Sequence, residues 1–258
     1  MNTTRLFIVL TALLLLAGAC ASAAPTNVLL YDNNTQQHVA QAAMSQLGWS
    51  YTTGNSSTFN GLLTGGTAWD VVVVDCPSNV PSTWGPLINY VSGGGRAVLS
   101  YWNLDQDAGL ASAFGVSVYQ DFFSPRNVYR WDATDPVFSG VTDLTQWWDY
   151  WHDDGDYLAF TPTNGGAVLG GFTTTPQPNN AAIVRENGGR TYVNGFLFDE
   201  AGSAGLSNMV SLVANECNLA YQGYEAPSGS DETPEPAIWA LLASTAALGA
   251  ATRRRRKT

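Results

Sequence analysis

The run Trp69-Asp70-Val71-Val72-Val73-Val74-Asp75-Cys76 constrains the fold more than any other stretch. Four successive β-branched residues favour extended backbone, and the absence of polar alternation leaves neither face suited to water. Such a strand is buried on both sides, which requires a sheet covered by helices on both faces. Its neighbours fit that demand. Asn27 to Asp32 reads as a strand, Thr35 to Trp49 as a helix and Ser50 to Asn55 as a short strand. Thr58 to Gly65 is a short helix, Trp84 to Gly95 a helix ended by glycines, and Arg96 to Trp102 a second central strand. Strands alternating with helices at this spacing predict right-handed crossovers and a mostly parallel, three-layer α/β sheet.

The second half is less regular. Ala108 to Val116 predicts a short helix, and Val118 to Phe172, rich in aromatics, Asp, Gly and Pro, predicts strands joined by long loops. Ala181 to Phe198 carries two alternating runs about Gly188-Gly189, the pattern of a hairpin. Ala204 to Ala220 predicts a closing helix. The expected organisation is a signal peptide over 1–24, an α/β domain over 25–222, a polar linker over 223–233 and a separate C-terminal signal over 234–258.

Both ends predict export. Arg5 precedes an apolar run from Leu6 to Ala19, and Ala21-Ser22-Ala23 suits signal peptidase. A competing reading makes Cys20 the acylated cysteine of a lipoprotein. Between the two ends, five Arg and no Lys face twenty carboxylates, a formal charge of −15. That surface repels nucleic acid and anionic lipid, which excludes nucleic acid as a partner. Cys76 and Cys217 are either a disulfide, as an exported chain allows, or two separate buried thiols.

These segments in this order resemble the class I glutamine-amidotransferase-like fold, in particular its trehalose-utilisation-type branch. The likeness is carried by Trp69 to Ser78, Leu87 to Trp102, Asp132 to Leu144 and Ala181 to Glu200. Catalytic members place a Cys on a sharp turn after the strand matching Arg96 to Trp102, and draw His and Glu from a Phe-His-Pro-Glu motif. The corresponding residues here are Ser100-Tyr101-Trp102-Asn103 and Leu197-Phe198-Asp199-Glu200. Glu200 remains as the remnant of a catalytic set, while nucleophile and base are both replaced. The resemblance therefore implies a non-catalytic relative, because a hydroxyl or thiol near neutral pH needs a base to activate it. His38, at the start of the first helix, reads as an exposed helix residue.

Gln146 to Phe160 interleaves Trp147, Trp148, Tyr150, Trp151 and Tyr157 with Asp149, Asp153, Asp154 and Asp156. Flat rings stack on sugar faces while carboxylates accept hydroxyl hydrogen bonds, so one reading is a glycan surface including Trp102. A second is a calcium site of Asp153, Asp154 and Asp156, calcium being the one cofactor the sequence suggests. A third is a loop that covers a sheet edge.

Ala237 to Thr252 spans about 24 Å as a helix, short of the roughly 30 Å bilayer core. With Arg253, Arg254, Arg255, Arg256 and Lys257 held on the cytoplasmic side, it makes a transient inner-membrane hold rather than a lasting transmembrane helix. Pro234-Glu235-Pro236, a hydrophobic helix and an Arg cluster together resemble the PEP-CTERM sorting domain. That resemblance implies an exosortase in a Gram-negative envelope and delivery to the cell surface or an exopolysaccharide biofilm matrix. The expectation is thus an exported binding or structural protein, the alternatives being a carbohydrate- or amide-directed hydrolase and a calcium-stabilised spacer.

Overall fold

The computed structural model describes residues 24–33, 35–148 and 157–224. The expected leader with Cys20, Tyr150, Trp151, Asp153, Asp154 and Asp156, and the tail with Pro234, Glu235, Pro236 and Arg253 to Arg256 lie outside them. In chain order the elements are β1 (Val28–Asp32), α1 (Val39–Leu47), β2 (Thr52–Gly54), α2 (Phe59–Thr64) and β3 (Val71–Cys76). Next come α3 (Gly85–Ser92), β4 (Ala97–Tyr101), α4 (Ala108–Ala113), β5 (Val116–Phe122) and β6 (Tyr129–Arg130). The last elements among the described residues are β7 (Tyr157–Pro162), β8 (Ala167–Gly171), β9 (Ala181–Glu186), β10 (Thr191–Asn194) and α5 (Leu206–Gln222).

One sheet runs in the order β2-β1-β3-β4-β10-β9-β7-β5, with β8 also pairing β9 and β6 pairing β8. Strands β2, β1, β3, β4 and β10 are mutually parallel. The remainder is an antiparallel extension. The expected alternation thus holds across the first half, and the irregular middle of the chain supplies the extension. The hairpin turn occurs as expected, with Asn187, Gly188 and Gly189 all at positive φ. Its second strand then inserts parallel to β4, so β9 and β10 are buried along their whole length.

All six residues of β3 are buried. Val71 and Val73 join Val28, Leu30 and Val98 beneath α1 and α5, while Val72, Val74 and Cys76 join Leu29, Tyr31, Leu99 and Tyr101 against α2, α3 and α4. These two apolar layers are the core, and their burial is the main favourable contribution to folding. Cys76 belongs to the second layer and Cys217 of α5 to the first. The sheet lies between them and both are free thiols, which decides against the disulfide. Among the described residues no helix is long and apolar enough to cross a membrane.

Candidate functional site

Four of the five parallel strands, β1, β3, β4 and β10, carry a polar residue at or next to their C-terminal end, and these form a row. Asp32 of β1 is in register with Asp75 of β3, Asp75 with Ser100 of β4, and Ser100 with Asn194 of β10. Because strand side chains alternate, all four point to the layer covered by α1 and α5. The row crosses the junction of β1 and β3, where the strand order reverses and open α/β sheets place their ligands. Burial first, then the charges of Asp199 and Asp32, push the Asp75 carboxyl well above the usual range, with the Ala40 amide pulling the other way.

Glu216 descends from α5 toward the same row. It is fully buried and accepts a 2.9 Å hydrogen bond from Asn194 Nδ2. Burial pushes its carboxyl up to about 8 against that bond. The folded state therefore keeps a proton that the unfolded chain releases near 4.5. Its contribution to stability is complete below that ordinary value and is lost as pH rises toward 8. Glu216→Gln is expected to erase this loss. Its stability relative to wild type should grow between pH 5 and 8.5, by on the order of a few kcal/mol, in urea titrations at several pH values.

Ser100, the first residue of the Ser100 to Asn103 stretch that the resemblance matches to the nucleophile turn, lies within β4 and is fully buried. Its hydroxyl donates to the Phe196 carbonyl at 3.1 Å and faces the Phe198 N–H at 3.4 Å. Phe198 and Glu200 lie in a 3₁₀ turn (Phe198–Glu200) whose three residues are all buried. The Glu200 carbonyl accepts the Trp148 N–H at 2.7 Å. Burial pushes the Cys76 and Cys217 thiols far above the ordinary cysteine range, so neither supplies a thiolate. Trp102 packs on the α2–α4 layer, whereas Trp147 packs on the opposite one.

Asp199 takes a role that the sequence reading did not assign. Its carboxylate accepts the Gln36 N–H at 2.8 and 2.6 Å and the Gln37 N–H at 2.5 Å. These amides lead into α1, the place where folds of this kind bind phosphate or another anion. The chain fills it with its own carboxylate. His38, next in line, has φ of 49° and 56 % of its side chain exposed. Its Nδ1 lies 2.8 Å from Thr35 Oγ1 and 3.4 Å from Asp32 Oδ2, which fixes the ring at the end of β1.

Beside this turn lies a cleft of about 460 Å³. One wall is Gln146, Trp147 and Trp148, a second is Gly202, Ser203 and Ala204, and Gln37 stands between. The Gly202 N–H to Gln146 carbonyl bond, 3.0 Å, ties the two walls together. Trp147 meets Tyr157 edge to face at 5.3 Å and Phe196 at 5.6 Å. Trp147 and Trp148, singled out from sequence, thus share a concavity; Gln37 and Ser203 were missed. The polar residue at or next to the end of β1, β3, β4 and β10 was the signal that could have located this edge of the sheet. Among the described residues, no group of three or more His, Cys, Asp or Glu is placed to hold a metal ion.

No protein-family model matches the chain, and no curated protein does. Solved structures do. A candidate GMP synthase component from Thermoplasma acidophilum is 14% identical with a TM-score of 0.51, over 76% of this chain and 96% of that one. A glutamine amidotransferase from Thermotoga maritima is 10% identical with a TM-score of 0.47, over 76% and 98%. Another from Methylobacillus flagellatus is 8% identical with a TM-score of 0.46, over 83% and 100%. The chain has the glutamine-amidotransferase-like, flavodoxin-like α/β fold that its sequence resembles.

Proposed function

We propose that this is an exported protein whose amidotransferase-like domain binds a ligand or builds structure and does not catalyse. The observation that supports the reading is the stretch matched to the nucleophile turn: it carries no Cys, and its only hydroxyl on an aliphatic side chain, Ser100, is fully buried and engaged by the backbone at Phe196 and Phe198. A nucleophile must reach its substrate and meet a base within hydrogen-bond distance, and here the base position is the buried ring of Phe198. Glu200, the remaining member of the set, is equally enclosed. The fold is retained while the catalytic constellation is filled with packing.

Sorting belongs to the same proposal. The leader over 1–24 directs export, and Pro234-Glu235-Pro236 with Arg253 to Arg256 directs the chain to an exosortase-type enzyme. The destination is the cell surface or a polysaccharide-rich matrix. The mature protein isolated from cells is expected to start near Pro25 and end near Pro234, which intact-mass spectrometry reads directly. A mass that retains Arg253 to Arg256 would contradict the sorting role. Separately, incubation with glutamine, simple amides and glycans is expected to give no product. Turnover that disappears in Glu200→Gln would replace this reading with that of a hydrolase.

A further inference from the structure

We infer that the cleft between Gln37, Trp148 and Ser203 binds an uncharged pyranose unit of a polysaccharide, an inference that rests on the domain being a binder. Its volume of about 460 Å³ falls within the range of small-ligand sites. Trp148 is 48 % exposed there, so part of its indole faces solvent at the cleft. The apolar C–H face of a sugar ring covers such an indole without loss of hydrogen bonding elsewhere. Among the described residues the remaining polar lining is Gln37, Gln146 and Ser203, two amides and a hydroxyl. Each of these groups both donates and accepts, as do the hydroxyls of a sugar.

The same lining sets the charge of the ligand. No Arg or Lys borders the cleft among the described residues. A sugar carboxylate or sulfate would leave water with no cation to receive it, at a cost that amides and a hydroxyl do not offset. The anion site nearest the cleft, the Gln36 and Gln37 amides, is already taken by Asp199. The formal charge of the α/β domain over 25–222, five Arg against seventeen carboxylates or −12, opposes an anionic polymer further. A neutral hydroxylated ring is the ligand class that remains.

Backbone hydrogen bonds join the walls, and a ring contact backs one of them. The Trp148 and Gly202 amides pair with Glu200 and Gln146 in a short ladder, and Trp147 is wedged against Tyr157. Gly205 lets the walls approach, since a Cβ there would lie 2.7 Å from the Gln146 carbonyl oxygen. Little ordering is left for binding to supply, which favours affinity from a small contact.

The test is a tryptophan-fluorescence titration of the full chain with dextran, a soluble β-glucan and a galactomannan, against polygalacturonate. Saturable binding to at least one neutral polymer is expected, with polygalacturonate weaker by about tenfold or more. Trp148→Ala should weaken neutral binding about tenfold or more. Ser203→Trp, which fills the cleft from an exposed position and keeps Trp148, should do the same with an unchanged melting temperature. Binding to none of the neutral polymers, equal or tighter binding to polygalacturonate, or affinity unmoved by both variants would overturn the inference. The same mixtures are assayed for newly released reducing ends. Their appearance would overturn the non-catalytic reading while leaving the ligand assignment standing.

Discussion

Gly195→Ala is expected to abolish folding or to remove more than about 4 kcal/mol of stability, read by circular dichroism and urea denaturation. A Cβ on Gly195 would lie 1.9 Å from the Leu158 carbonyl oxygen. Both sides of this contact are fixed backbone. The Gly195 N–H donates to the Ala182 carbonyl at 2.8 Å, and its carbonyl accepts the Leu158 N–H at 2.8 Å. No side-chain rotation relieves the overlap, so the chain must break one of these bonds or move β7 away from β10. A glycine at such a place marks close approach of two backbones. The contrast is Gly61, exposed on α2 with open space around its missing Cβ, where alanine should fold normally.

Asp135→Asn is expected to destabilise the domain by about 3–5 kcal/mol. Asp135 Oδ2 lies 2.7 Å from Arg185 Nη1, with their side chains only 1 % and 4 % exposed. Asparagine keeps the shape and the acceptor that caps Val137 at 3.0 Å, so the substitution removes charge and little else. What remains is an arginine enclosed without its counterion. The pair's own net worth is smaller, because both charges were taken out of water to form it. Asp135→Leu with Arg185→Met should therefore recover most of the loss, and chemical denaturation of the single and double variants measures the difference.

Much of the fold could be read from local pattern because its signals are local. The valines of β3, the glycines closing α3 and the turn at Gly188-Gly189 act over a few residues each, and each appears where expected. The position of β10 could not be read this way. Its partner in the hairpin is β9, yet its place in the sheet is decided by parallel pairing to β4, more than ninety positions earlier in register from Thr191 to Ala97. The candidate site divides similarly. Trp147 and Trp148 stand out because adjacent tryptophans are conspicuous, but Gln37 and Ser203 are ordinary polar residues until the fold brings them to the same cleft. The nucleophile turn is instructive in another way: the sequence marked only the stretch Ser100 to Asn103, and the burial of Ser100 and Tyr101 within β4 became visible only in the fold.

Asp199 is, in binding terms, a tethered ligand. It sits 162 positions from Gln37, yet folding presents it to the Gln36 and Gln37 amides as part of the same molecule. Even a flexible tether gives an effective concentration of about millimolar, and a fixed one exceeds it. A free phosphate or sulfate arriving at this turn competes with a carboxylate that never diffuses away. A small anion can therefore take these amides only by displacing a carboxylate that the fold itself holds in place.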